Sequence, residues 1–272
     1  VRIYIPTYKR VGKQTTLKAL PPAWKLKTWL VVRPEEAKAH EWPRERILVC
    51  DKKGVPAARQ AACEHALAQG EHYVFMFDDD LRFAVRPAAW KFPHATKLRK
   101  ATEQDIQDGI NRVGAELASV PKLSMLGFDA RGGNQTRAEP DLQLHCRVMR
   151  AFGVNAATLR TLKIRFDAFP FWEDFHVALS LIRHGHAIGN LMRWTNDAGT
   201  NTAGGCSTYR NVEALRECQT LFALEHKHAK PVLKKPKSWG GELGKAPAIP
   251  DFVIYWQKAV KEAHARHLAR RR

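Results

Sequence analysis

Three adjacent carboxylates, Asp78-Asp79-Asp80, follow five apolar or aromatic residues in the stretch HYVFMFDDDLRF. Carboxylates this close repel one another unless a cation lies among them. Asp78 and Asp80 therefore point to a hard, oxygen-seeking ion such as Mg2+ or Mn2+. A solvated acidic turn is the plainer alternative. A second pair, Glu173-Asp174, stands between Phe169-Pro170-Phe171-Trp172 and a stripe of Phe175, Ala178, Leu179 and Ile182 at helical spacing. A helix dipole favours carboxylates in its first turn, so capping alone accounts for one of the two. Near a metal-type cluster the pair also suits a general base, with Asp174 ahead of Glu173. A third polar stretch, NDAGTNTAGGCSTYR, offers the amides of Gly204 and Gly205, the hydroxyls of Ser207, Thr208 and Tyr209, and Arg210 to phosphates. It lacks the Gly-Lys-Ser/Thr order of a P-loop.

These groups need a scaffold that brings them to one place. Short β-branched and aromatic runs at Arg2–Pro6, Thr28–Val32, residues 46–50 and Tyr73–Phe77 read as buried strands. Each empties into polar residues: Thr7-Tyr8-Lys9-Arg10, Arg33-Pro34, Asp51-Lys52-Lys53 and the aspartates. Open α/β sheets present their ligands at such strand ends. Residues 54–70 read as a helix, with Gly54 at the turn, Pro56 in the first turn and Gly70 at the stop. Arg59 falls in its first turn, within reach of an anionic or heterocyclic ligand. Thr102 and Asp105 form an acidic capping box before a helix carrying Ile106, Ile110, Val113 and Leu117.

Residues 123–128 read as a strand leading into DARGGNQTR, a glycine-rich lid. Residues 145–152 read as another strand, with Gly153-Val154-Asn155 as a turn. Asn211 caps a helix to Glu225. From His226 the chain is rich in Lys, Pro and Gly and reads as an extended segment draped on the domain. A last amphipathic helix starts near Asp251, shows Phe252, Tyr255, Trp256 and Val260 on one face, and ends in Arg270-Arg271-Arg272. The expected fold is α/β, a mixed and mainly parallel sheet flanked by helices. Residues 1–225 would form the domain and 226–272 a basic extension packed on it.

A formal net charge of +18 over 272 residues opposes compactness, and nucleic acid is the leading partner that justifies it. Arg82, Arg86, Lys91, Lys97, Arg99 and Lys100 interleave with Phe83, Trp90 and Phe92, which suits phosphate contact with base stacking. A solvated loop with core-anchoring aromatics reads as well. No run approaches the roughly 18 apolar residues of a membrane span, so no membrane partner is expected. Five scattered cysteines without CxxC spacing argue against a disulfide framework and for a reducing, cytoplasmic compartment.

The order of IYIPTYKR, VCDKKGVPAARQ, VFMFDDD and FWEDF resembles the GT-A fold of nucleotide-sugar glycosyltransferases. Over residues 1–210 the chain resembles the phage-encoded glycosyltransferases associated with ten-eleven-translocation dioxygenases, which decorate 5-hydroxymethylated pyrimidines in DNA. The resemblance implies a UDP-sugar donor, Mn2+ or Mg2+, and DNA containing hydroxymethylated pyrimidines as acceptor, handled by a monomer in the host-cell cytoplasm. It places Pro6, Thr7, Tyr8, Arg10, Asp51 and Arg59 around the nucleotide. Asp80 becomes the direct metal ligand, Asp78 a ribose or metal-shell group, and Asp174 the base that activates the acceptor.

Gly205 and Arg210 would stabilise the departing diphosphate. Trp90, Phe92 or Trp172 would stack on a flipped base, while Arg82, Lys97, Arg99, Lys234, Lys235 and Lys237 hold the backbone. His226 and His228 are candidates for a late metal ligand. A glycan or lipid acceptor on the same fold, or a nucleic-acid-binding module without catalysis, are the rival readings.

Overall fold

The computed structural model describes residues 1–86, 98–130, 141–198, 210–235 and 241–269. In chain order it runs β1 (Arg2–Pro6), α1 (Thr15–Ala19), α2 (Pro22–Lys25), β2 (Thr28–Val32), β3 (Ile47–Val49), α3 (Val55–Ala68) and β4 (Tyr73–Phe77). There follow β5 (Leu81–Val85), β6 (Arg99–Lys100), α4 (Glu103–Ser119), β7 (Leu123–Ala130), β8 (Leu142–Leu144), β9 (Ala151–Asn155) and α5 (Ala156–Thr161). The remainder is α6 (Glu173–Arg183), β10 (Ala187–Ala198), α7 (Val212–Glu225), β11 (Ala229–Lys234), α8 (Gly241–Lys245), β12 (Ile249–Ile254) and α9 (Trp256–Ala269).

One sheet runs β3-β2-β1-β4-β9-β7-β10-β5-β6, with β8 also pairing β10. The pairs β1–β2, β1–β4, β2–β3 and β7–β10 are parallel, and β9 runs antiparallel between β4 and β7. Strand order therefore reverses at the β1–β4 boundary. That is the topological switch point where open α/β sheets leave a crevice at their carboxyl ends. Thr7 to Arg10 and the three aspartates flank it.

Both sheet faces are covered, which is why β1 and β4 are apolar throughout rather than alternating. Val74 and Met76 pack with Ala58 and Ala62 of α3 and with α6; Phe75 and Phe77 face the other way onto Ile106, Ile110 and Val113 of α4. The capping box of α4 is present, Thr102 accepting from the Asp105 amide and Asp105 from the Thr102 amide. Asn211 caps α7 as expected, its side chain accepting from the Ala214 amide.

Four expectations need correction. The strand expected at residues 145–152 begins only at Ala151, and Gly153 lies within it. A Cβ on Gly153 would meet Leu117 Cδ1 at 2.8 Å, so this glycine permits close packing of α4 rather than a turn. Asp129 is no loop residue. It is buried at the end of β7 and paired with Arg86, which is thereby withdrawn from the basic surface.

Asn196 to Ala198 likewise continue β10, and the fully buried Asn196 amide donates to the Phe128 and Asp129 carbonyls at 3.1 and 3.3 Å. The segment after His226 is not simply extended, since β11 and β12 pair antiparallel and α8 lies between them. Residues 249–254 are strand because Pro250 lacks a helical N–H and Ile249, Val253 and Ile254 favour the pleat. The last helix begins at Trp256.

The C-terminal elements pack on the start of α6. Trp172, the residue before that helix, is left-handed at φ 58°. Its ring lies 4.9 Å from Phe252, Phe222 lies 5.1 Å from Phe169, and Trp256 lies 6.0 Å from Phe175. Beneath them His176 Nδ1 and His226 Nε2 share a 2.8 Å hydrogen bond. Burial lowers His176 to about 4 and His226 to about 3, so both are neutral in the fold.

The unfolded chain takes up protons near 6.5, so the contribution is complete above that pH and drains as pH falls towards 4. Urea denaturation should show stability lost between pH 6.5 and 4, on the order of 3 kcal/mol per histidine at the acid end. Replacing both histidines with glutamine should flatten that profile.

Candidate active site

The Asp78–Asp80 turn is tied down by its own backbone. Thr16 in α1 donates from its hydroxyl to the Asp78 carbonyl and accepts from the Leu81 amide at 2.8 Å, while its amide reaches the Asp79 carbonyl at 3.2 Å. The Asp78 amide donates to the Arg150 carbonyl at 2.9 Å. With the main chain fixed on both sides, the three carboxylates fan out from a rigid base. Each then meets a guanidinium.

Arg10, in the loop after β1, donates to both Asp79 and Asp80, the latter at 2.9 Å. Asp79 is buried against Arg10. Burial pushes its carboxyl up to about 6, against the opposing pull of Arg10 and Thr7. Asp78, a third exposed, takes Arg59 Nη2 at 2.7 Å.

Arg59 is the joint of the site. Gly54 at φ 109° turns the chain into α3, whose first turn delivers Arg59 beneath Asp78. The other side of its guanidinium donates to Glu173 Oε1 at 2.8 Å, and its face lies 5.0 Å from the Phe152 ring. At 3% exposure it faces these partners rather than an open nucleotide pocket. Burial opposes its charge, but Asp78, Glu173 and Asp174 outweigh it and raise its pKa. Burial likewise raises Glu173, while Arg59 and Arg210 act against that rise.

Asp174, next to Glu173 and less enclosed, lies 3.9 Å from Arg147, whose guanidinium sits 4.5 Å from the Phe175 ring. Asp78 and Glu173, far apart in sequence, thus share one buried cation. Arg147 was not expected here. It lies in the irregular stretch misread as strand, and no local pattern marks it.

Residues 1–205 match the family model of the TET-Associated Glycosyltransferase. The chain belongs to that family. No curated protein matches it. Among solved structures it is similar to GalNAc-T7 with UDP, GalNAc and Mn2+, at 11% identity and a TM-score of 0.51, covering 84% of this chain and 48% of that one. It is also similar to TarS 1–349 of S. aureus (14% identity, TM-score 0.44, 82% and 64% covered). A third is the mannosyltransferase PcManGT of Pyrobaculum calidifontis in complex with GDP-Man and Mn2+ (14%, 0.45, 81% and 61%). The chain spans less than two thirds of each of these structures. The mixed, mostly parallel sheet flanked by helices is the GT-A fold.

In this family member the donor set fits a hard divalent cation of the Mg2+ or Mn2+ type only in part. Asp78 and Asp80 each have one carboxylate oxygen bonded to an arginine, leaving a second oxygen to each. No three metal-type side chains cluster among the described residues. Two carboxylates completed by phosphate oxygens and water is the usual way proteins hold Mg2+. His226 and His228 do not supply a third ligand, being engaged with His176 and Glu262.

Pro6 and Thr7 are buried at the mouth of β1, Tyr8 is half-buried beneath Lys9, and Asp51 is exposed after β3. Arg210 is half-buried with its guanidinium 5.7 Å from the Phe171 ring, and its charge acts on Glu173. Trp172 is half-buried, with its ring edge-on to Phe252. Arg82 is exposed on β5, whereas Arg99 makes two hydrogen bonds to Asp105, at 2.6 and 2.8 Å. Lys234 and the exposed Lys235 belong to the β11–β12 region, Lys234 being paired with Asp251 at 2.7 Å. Gly205, Trp90, Phe92, Lys97 and Lys237, with the lid at residues 131–137, lie outside the described residues.

Arg59→Met should cost about 3–5 kcal/mol, because it strands the buried Glu173 and leaves the half-buried Asp78 without its partner. Arg59→Lys should fall between, since a single ammonium cannot fork to both. Adding Glu173→Gln to Arg59→Met should recover part of the loss in urea denaturation.

Proposed function

We propose that the protein transfers a sugar from a UDP-sugar to the hydroxyl of a 5-hydroxymethylated pyrimidine in DNA, 5-hydroxymethylcytosine first. The observation that carries this is the Arg59 bridge, which sets the Asp78 side of the crevice against the Glu173-Asp174 side in a chain of this family. The family's association with TET dioxygenases supports a hydroxymethylated acceptor, and the net charge of +18 supports DNA.

The chain's residues divide the work. Thr7, Tyr8 and Asp51 border the space for the nucleoside at the ends of β1 and β3. Asp78 and Asp80 would hold a divalent cation, which supplies positive charge to the departing diphosphate. Arg210 adds a further cation near Glu173. Asp174 accepts the hydroxymethyl proton as the alcohol oxygen bonds to the anomeric carbon. The bond from that carbon to the diphosphate breaks, and its electron pair leaves with UDP. Glu173, locked on Arg59, has no freedom to take that proton and serves to fix the helix start.

The reaction is tested by mass spectrometry of nucleosides from hydroxymethylated DNA incubated with UDP-sugars and Mn2+. Asp174→Asn should lower turnover roughly a hundredfold or more while leaving UDP binding intact. Asp80→Ala should remove metal-dependent transfer. Unmodified nucleosides with every donor, or normal turnover by Asp174→Asn, would sink the assignment. Calorimetry with UDP and Mn2+ separates an enzyme from a mere DNA-binding module, which would give no heat.

A further inference from the structure

The two arginines of the acidic turn are held in different ways. Arg59 is enclosed under Phe152 and fastened to both Asp78 and Glu173. Arg10 comes from a loop that follows left-handed Lys9 (φ 55°) and precedes Gly12 (φ 71°). Its side chain is 12% exposed, and it grips one carboxylate that is buried, Asp79, and one that opens further towards the crevice, Asp80. Asp80 is also the carboxylate assigned to the cation. Without three ready-made ligands among the described residues, the turn has a resident positive charge where an incoming one is needed.

We propose that Arg10 is the counter-ion of this turn in the free protein and is displaced from Asp80 when a divalent cation arrives with a nucleoside diphosphate. Asp79 keeps hold of the guanidinium, and the face released from Asp80 turns to the diphosphate. This rests on the donor-site reading above. The electrostatics favour a concerted exchange. A cation alone must sit beside an arginine at Asp80, and a diphosphate alone that draws Arg10 to itself leaves Asp80 bare beside it. Together each removes the other's obstacle, so the two ligands must tighten one another by the same factor. Asp79 is thus a positioning residue for Arg10 and not a metal ligand, which gives the middle aspartate of the three a job of its own.

Electron paramagnetic resonance of free Mn2+, titrated with the full chain with and without UDP, tests this. The wild-type protein should bind Mn2+ weakly alone and at least about tenfold more tightly with UDP. Arg10→Met should tighten Mn2+ alone by roughly tenfold and cut the enhancement by UDP severalfold, leaving the part due to direct attraction between cation and diphosphate. Because Arg10→Met strands Asp79, the double variant Arg10→Met/Asp79→Asn is measured beside it, with circular dichroism as the check of folding, and should behave alike.

Weaker or unchanged Mn2+ binding in the folded Arg10 variants, with the UDP enhancement intact, overturns the assignment of Arg10 alone. The donor-site reading fails in a different way. Wild-type protein that takes no Mn2+ even with UDP, indistinguishable from Asp80→Asn, overturns both.

Discussion

A buried guanidinium between two carboxylates is costly to assemble and more costly to break. Arg59 is in that position, and the elements around it follow from the need to satisfy it. α3 supplies the cation, β4 supplies Asp78, α6 supplies Glu173, and β9 closes the space with Phe152. Remove Arg59 or both of its carboxylates and a charge is left unpaired in the interior. The geometry is also specific in a way that apolar packing is not, because a planar fork fixes direction as well as distance. The relative placement of the β4 turn and the α6 start is set by one residue rather than by the sheet alone.

The same logic accounts for what a reader of the sequence can and cannot see. Strands β1 to β4 and helix α3 are legible because each is punctuated locally: apolar runs ending in charge, Gly54 and Pro56 at the helix entrance, Thr102 with Asp105 at the next. The aspartates and Glu173-Asp174 stand out because acidic groups after apolar runs demand an explanation. What escapes is decided by partners distant in sequence. Gly153 looks like a turn until α4 is seen lying on it. Arg86 and Asp129 look like loop residues until each is seen to neutralise the other. Arg10 gives no sign in the sequence that Asp79 and Asp80 hold it. Charge compensation is a property of the fold, and no spacing rule announces it.

The net positive charge is likewise redistributed by folding. Arg59, Arg86, Arg99 and Lys234 are all spent on carboxylates within the chain, so the surface offered to a polyanion is narrower than composition suggests. Among the described residues, Arg82 and Lys235 are exposed cations outside these pairs.

Likeness to the family ends at residue 205, but the packing does not. Trp172, whose left-handed backbone starts the helix that carries Glu173 and Asp174, is covered by Phe252, and Phe169 is covered by Phe222. Phe222 and Phe252, beyond the matched segment, thus cover residues inside it. The approach to the Glu173-Asp174 helix is therefore shaped partly by residues that the family match does not reach.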